Sequence, residues 1–521
     1  MVKPMRMATL GLWGLLGVWG CSAIVDFDQC TTSADCKRGQ ACDTASKGCY
    51  DLVGVDGSTA TGGSNGGATS DAAPAGGTLA DAASPPDGGA GGTPSVGKAF
   101  GEACLHDAEC SSGICMPDDR RCTKPCSTGA DCGDSPALVR CDNAQCAYNV
   151  AAPLAPPIKV GFLYVGPVAD FGWTRTHDEG RKAMEAYFDA HGIAVDTTFE
   201  PSVDPADAPA KMEAMIQGGV NVIVGTSYGF LDQMKTTSTQ HKDVRFLSCS
   251  GFTSADDQHR NLGSYFGRMQ QATFLAGKAA AQASQNGVIG VIGSVAIPEL
   301  VRHINAFARG ARSVKPDAEI QVRWVNNFVD IPAETAAAEE LIGFGADVIW
   351  SSTDTQVAMD IAKASHTADG RQVLALGNDN PNACSHAPEI CITTPYWNWG
   401  PVLIRQIQGI IDGTWDYRDQ IWESIQGDSE ESMVYVAPYN ADLVGSAFTI
   451  ERESDVQKIA DGTLDPFDGP INDSSGTQRV AGGTRVSDPD LLSMCWFVEG
   501  VFEPGTGHIP ATVPEGCPGV H

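Results

Sequence analysis

The chain has 521 residues, a formal net charge of −30 at pH 7, 42% hydrophobic residues, 59 glycines, 30 prolines and 18 cysteines. It is too long for one small module and apolar enough to bury a sizeable core. The acidity argues against a nucleic-acid polymer as main partner, because phosphate recognition needs clustered Lys and Arg.

In chain order, the first feature is a predicted export signal over residues 1–20. Lys3 and Arg6 form a basic start, and the apolar run Met7–Gly20 is too short to span a bilayer. The run ends in Val18-Trp19-Gly20-Cys21, which resembles a bacterial lipobox, although Trp19 is bulkier than that pattern usually carries. Cys21 is therefore the expected lipidation site, and two or more acyl chains would hold the protein on a membrane face. An ordinary secretory signal with an incidental Cys21 is the alternative. Ser22, rather than Asp, follows the cysteine, which favours the outer membrane or cell surface over inner-membrane retention. No later apolar run is long enough for a transmembrane helix.

Thirteen cysteines precede residue 150, and beyond Cys21 they fall into three groups of four. The groups are Cys30, Cys36, Cys42, Cys49; then Cys104, Cys110, Cys115, Cys122; then Cys126, Cys132, Cys141, Cys146. Each opens with C-x5-C, and none contains the C-x2-C pair that structural zinc favours. Disulfide-stapled modules over 21–55 and 98–150 are expected, with their connectivity open. Between them, residues 56–97 are almost entirely Gly, Ala, Ser, Thr, Asp and Pro. That stretch has too little apolar surface to offset ordering, and it reads as a tether whose span grows as about 5–6 Å times the square root of its length.

From Ile158 the composition changes to alternating apolar strands and amphipathic helices. Strands are predicted at 158–165, 220–224, 244–249, 288–292, 320–325, 347–350 and 373–376. Helices are predicted at 175–191, 206–217, 270–283, 297–314, 333–343, 356–365 and 399–412. Continuous apolar strands separated by helices imply an α/β fold with parallel sheets covered on both faces, and some three hundred residues imply two lobes. The domain is expected to span 158–503, with a tail over 504–521.

Ligands in such sheets sit at the carboxyl ends of the strands. The loops there carry Asp170-Phe171-Gly172-Trp173-Thr174, Ser227-Tyr228-Gly229-Phe230, Asn326-Asn327-Phe328, Gly377-Asn378-Asp379-Asn380 and Tyr396-Trp397-Asn398-Trp399. Aromatics mixed with short polar side chains suit a flat ring bearing hydroxyls. Gly225-Thr226-Ser227-Tyr228-Gly229 matches G-x-S-x-G after a strand. Too little sheet precedes it for an α/β-hydrolase, and no HGGG-like oxyanion loop lies upstream, so a serine hydrolase using Ser227 is a remote alternative. No P-loop, H-E-x-x-H or post-strand G-x-G-x-x-G occurs. No cofactor and no metal are expected.

The stretches GFLYVGPVADFGWTRTHDEGRKAMEA, GTSYGF, RNLGSYFGRMQQATFLAGKAAA, AIPELVRHINAFARGARSVKP, WVNNFVDIPAE, GADVIWSSTD, YWNWGPVLIRQIQGIIDGTW, APYN and MCWFVEGV run in order from about Lys159 to Val501. Together they resemble the basic membrane protein family, the nucleoside-type solute-binding lipoproteins of bacterial ABC importers. The resemblance implies a type I periplasmic binding protein fold, two Rossmann-like lobes with a hinge and the ligand closed between them. It also implies an ABC permease in the inner membrane as partner and no enzymatic turnover. A sensor without a transport role is the alternative.

In that family a purine is held between two aromatics and an acidic residue takes the ribose hydroxyls. Carried over, Trp173 and Phe328 are the expected sandwich and Asp379 the expected ribose partner. Asp170 matches an acidic position that accepts from a base edge, or else it caps the following helix. Tyr228 and Phe230 match a loop at the cleft edge, while Asp354 and Trp397 fall in second-lobe or hinge loops. Thr174 stands where the family usually has Asn, Gln271 where an acidic residue is common, and Trp173 where Phe is usual. The stacking feature is kept, which favours a purine nucleoside, while the altered edge-reading groups leave a pyrimidine nucleoside or a flavin open. Of the remaining cysteines, Cys384 with Cys391 and Cys495 with Cys517 are the possible pairs, leaving Cys249 free; all five merely buried is the alternative.

Overall fold

The computed structural model describes residues 40–43, 48–51, 104, 106–116, 121–127, 129–132, 139–142, 144–148, 153–251, 259–506, 511 and 513. The chain divides into two units, Met1–Ala90 and Gly91–His521. In the first unit the described residues form an antiparallel hairpin, Gln40–Asp43 with Gly48–Asp51, which sets Cys42 opposite Cys49. Cys21, the tether at 56–97 and Cys517 lie outside the described residues.

The second unit begins with the stapled modules. Cys104–Cys115 and Cys110–Cys122 are disulfides, and these four buried half-cystines are the core of their module. Cys132–Cys146 staples the next module, where Cys126 is also disulfide-bonded. Sulfur held in a disulfide is no thiolate, so these groups are not metal ligands.

The large domain contains two parallel sheets. In the first lobe, β1 (Ile158–Leu163), β2 (Val195–Glu200), β3 (Val222–Gly225), β4 (Arg245–Cys249) and β5 (Leu262–Gly267) pair in the order β5-β4-β3-β1-β2. In the second, β6 (Val288–Gly293), β7 (Glu319–Trp324), β8 (Val348–Ser351) and β9 (Leu374–Ala375) pair in the order β9-β8-β6-β7. The central strands are apolar on both faces because helices cover both, as the continuous Val/Ile runs require.

The chain crosses between lobes more than once. After β9 comes β10 (Pro395–Trp397); β11 (Gln420–Glu423) then returns to pair with β5 of the first lobe. β12 (Val434–Val436) pairs antiparallel with β10, and β13 (Val501–Phe502) joins β7 of the second lobe. β11 and β13 therefore tie each sheet to a distant part of the sequence.

Four helices bear on the site: α1 (Trp173–Ala190) after β1, α2 (Met269–Ala283) after β5, α3 (Pro298–Val314) after β6 and α4 (Ile331–Gly343) after β7. α2 and α3 meet backbone to backbone. A Cβ at Gly277 would overlap the Phe307 carbonyl, and one at Gly310 would overlap that of Phe274. This reciprocal pair of glycines lets the two helices approach so closely. α3 is fixed on its far side by the C-terminal segment, with the Arg302 guanidinium donating to the Leu491 carbonyl at 2.9 Å and the Asn305 amide to that of Trp496 at 2.7 Å.

Cys384–Cys391 is a disulfide, Cys495 is disulfide-bonded and Cys249 is a free buried thiol. The alternative in which all five are merely buried is overturned. No helix among the described residues is long and apolar enough to cross a membrane.

Candidate functional site

The loops that the sequence singled out follow the carboxyl ends of β1, β3, β7, β8 and β9, and the two lobes touch through them. The first-turn amides of α1 are the centre of this contact. The Asp170 carboxylate accepts from the backbone N–H of Gly172 at 3.3 Å, Thr174 at 3.0 Å and Arg175 at 2.8 Å. Trp173 N–H donates instead to Asp354 Oδ1 of the second lobe at 2.9 Å. Two carboxylates, one from each lobe, thus satisfy four amides that a helix start leaves unpaired, where the helix dipole also favours negative charge. Gly172 permits the approach, since a Cβ there would overlap Asp354 Oδ1.

The backbone continues the bridge. Phe171 N–H donates to the Asp354 carbonyl at 3.2 Å, and Asp354 N–H donates to the Phe328 carbonyl at 2.8 Å. The Phe328 ring itself is 41% exposed, as is Tyr228 on the first-lobe side. The rings in contact with Trp173 are His177, at 4.9 Å between centroids, and Trp399 and Trp397, which meet it edge-on at 5.4 and 5.5 Å. Trp397 stacks on Trp399 at 4.6 Å, and His177 also stacks on Trp399, at 4.2 Å. The Trp173 indole N–H donates to the Thr226 carbonyl at 2.8 Å, which fixes the ring plane.

Asp379 occupies the left-handed region, φ 59°, which costs a side chain with a Cβ about 1–2 kcal/mol, least for Asn and Asp. Its backbone is held between Pro395 and Trp397, and its Oδ1 accepts from the Trp397 indole N–H at 3.1 Å. Burial pushes the Asp379 carboxyl well above the ordinary carboxylate range, and the charges of Asp354, Glu299 and Asp170 push it further. Burial, then the Asp170 charge, raises Asp354 to about 7. Burial raises Asp170 as well, against the opposing pull of the hydrogen bonds it accepts from Arg175, Thr174 and Gly172.

Glu299, in the first turn of α3, belongs to the same electrostatic group, and burial raises it to about 7 against the pull of Arg302. Glu299 lies in the helix predicted over 297–314, and the sequence did not single it out. Nor did it single out His177, which lies within a predicted helix, and Trp399 stood out only as part of the aromatic loop at 396–399. Burial lowers His177 to about 3, and its Nδ1 faces the Trp173 carbonyl at 2.9 Å, so the ring is neutral.

The side chains of three sequence candidates point away from the contact or are buried behind it. Phe230 is fully buried in the core beneath β1 and β3, among Leu163, Met212 and Met234. Thr174 is fully buried beside Asp170. Gln271 spans the crossover from β11, accepting from Ile425 N–H at 2.8 Å and donating to the Ser424 hydroxyl at 3.3 Å. The Ser227 hydroxyl accepts from Gly229 N–H at 3.2 Å and so caps the short turn that follows it.

The family described as ABC transporter substrate-binding protein, PnrA-like, matches residues 158–453. The purine-binding protein of Brucella abortus is 34% identical over 67% of this chain and 95% of its own length. A putative ABC transporter glucose-binding protein of Haloferax volcanii is 31% identical over 52% of this chain and 65% of its own. A solute-binding protein structure from Conexibacter woesei superposes with a TM-score of 0.49 at 18% identity, covering 59% of this chain and 98% of that one.

Proposed function

We propose that this chain, which belongs to the PnrA-like family of ABC transporter substrate-binding proteins, takes a nucleoside-like ligand between its two lobes, a purine nucleoside before others. The observation that carries this reading is the convergence of Trp173, Trp397, Asp354 and Asp379 on the contact between lobes. An aromatic wall gives a flat ring a stacking surface, and carboxylates accept from hydroxyls and amines. None of these four residues offers a phosphate a cationic partner, which favours nucleosides and bases over nucleotides. The Brucella relative's name points to the same ring class, and the Haloferax relative's name adds a sugar as the rival.

In this reading Trp173 and Phe328 face the ring, Asp379 and Asp354 take hydroxyl or amine donors, and Trp397 orients Asp379. Asp170 acts as the cap of α1, and Tyr228 lines the rim. Phe230, Thr174 and Gln271 support the site from the core and hinge. The protein would deliver its ligand to an ABC permease without turnover, anchored through lipid on Cys21.

Calorimetry of the whole chain against inosine, guanosine, adenosine, uridine, riboflavin and glucose tests the proposal. Saturable binding of a purine nucleoside, weakened in Trp173→Ala, is expected. Binding of glucose alone, or of no compound in the panel, would overturn it.

A further inference from the structure

Asp354 reaches the facing lobe from the loop Ser351–Thr355, and the side chains of that loop alternate in direction. Ser351 Oγ donates to Glu334 Oε1 at 2.9 Å, Thr353 Oγ1 donates to the same oxygen at 2.6 Å, and Thr355 Oγ1 donates to Oε2 at 2.5 Å. The intervening Ser352 Oγ accepts from Ser294 N–H at 2.9 Å within its own lobe. Asp354, the other intervening residue, points to Trp173. Glu334 itself is fully buried in the first turn of α4.

A fully buried carboxylate needs donors to offset its desolvation, and three hydroxyls from one loop supply them. The cost of losing any of them is high in such a site, so the three bonds hold the loop in one arrangement. With positions 351, 353 and 355 turned toward Glu334, position 354 is directed away from it. We propose that Glu334 is a positioning residue for ligand capture. It sets the loop so that the Asp354 carboxylate meets the start of α1 and the lobes close. This rests on the interlobe contact being the ligand site.

The test uses Glu334→Gln, Thr353→Val and Thr353→Ser in the full chain. Small-angle scattering of the ligand-free protein reads lobe separation, and calorimetry with inosine reads capture. Glu334→Gln and Thr353→Val should shift the ligand-free protein toward a wider form and weaken inosine about tenfold. Thr353→Ser, which keeps the hydroxyl, should restore both. In an Asp354→Ala background, which removes the acceptor, Glu334→Gln should add little further opening, because both changes act on one contact. Wild-type scattering in folded Glu334→Gln and Thr353→Val would overturn the proposal, and so would full additivity with Asp354→Ala. If the wild type takes no inosine, the ligand reading fails while the scattering comparison still judges Glu334.

Discussion

Trp173 and Asp354 are 181 residues apart in sequence, yet the backbone N–H of the first donates to the carboxylate of the second at 2.9 Å. That bond joins the start of a first-lobe helix to a second-lobe strand end, so it exists only when the lobes are together. The same Trp173 turns its ring toward Trp397 and Trp399. One residue thus carries both a closure contact, through its backbone, and a stacking surface, through its side chain.

The closure contact should depend on pH. Asp354 sits at about 7 when buried in the closed contact, against an ordinary value of 3.8. A carboxyl whose value is raised on closing holds its proton longer in the closed form, so its contribution favours closure below about pH 4. That contribution is lost as pH rises from about 4 through 7. Asp379 and Glu299, also raised, act in the same direction. Ligand-free scattering from pH 5 to 8 should show the lobes parting as pH rises, and Asp354→Asn should flatten the dependence. A profile that runs the other way, or one unchanged in Asp354→Asn, would remove Asp354 from this role.

The ring of Trp173 makes a separable contribution. Trp173→Ala removes a stacking face worth about 1–3 kcal/mol per base, so purine nucleoside affinity should fall about 5- to 150-fold. Trp173→Phe keeps a face but loses the hydrogen bond to the Thr226 carbonyl, about 0.5–1.5 kcal/mol. The order of affinities should be wild type, Phe, Ala. Equal affinities for all three in calorimetry would move the ligand away from this wall.

The central architecture was legible because β1, β3, β4, β6 and β8 are short, mostly apolar runs alternating with amphipathic helices, the pattern of a doubly covered parallel sheet. Other strands were not. The edge strand β2 (VDTTFE) is largely turned toward solvent, and β5 (LGSYFG), between β4 and β11, is buried but interrupted by Gly and Ser, which carry weak strand signals. β10, β11, β12 and β13 pair across long sequence gaps that periodicity cannot register. At the site, Asp379, Trp173 and Trp397 were legible as unusual loop residues and Asp354 only through the family resemblance, and the four lie together. Phe230 shared their loop chemistry, yet its side chain turns into the core, and one-residue differences of direction are invisible to composition. Glu334 was read only as part of a helix, because its three partners belong to a loop 17–21 residues onward.

Phe230 provides a control on that distinction. Its ring packs under the first-lobe sheet, so Phe230→Ala should destabilise the chain by about 3–5 kcal/mol through the cavity it leaves. Ligand affinity of the folded fraction should be close to wild type. Denaturant titration followed by calorimetry separates the two quantities. Unchanged stability with lost affinity would instead put this ring against the ligand.

The Cys384–Cys391 disulfide closes a short loop directly after Asp379 and Asn380, a sequence separation of 7. The strand beyond it returns alongside β9, with Ala375 N–H donating to the Ile390 carbonyl at 3.0 Å and Gly377 N–H to that of Thr393 at 2.9 Å. Asp379 is then held by Pro395 and Trp397 a few residues further on. The cross-link therefore fixes both ends of the segment that presents Asp379 to the cleft. In the chain-entropy account, closing so short a loop restricts the unfolded chain by about 2.5 kcal/mol. The double variant Cys384→Ser, Cys391→Ser should melt several degrees lower and bind a purine nucleoside more weakly, though less weakly than Trp173→Ala. Substitution is the better probe than reductant, which also opens the stapled modules near the start of this unit. Wild-type melting together with wild-type affinity in the double serine variant would show that the returning strand alone is enough to hold Asp379.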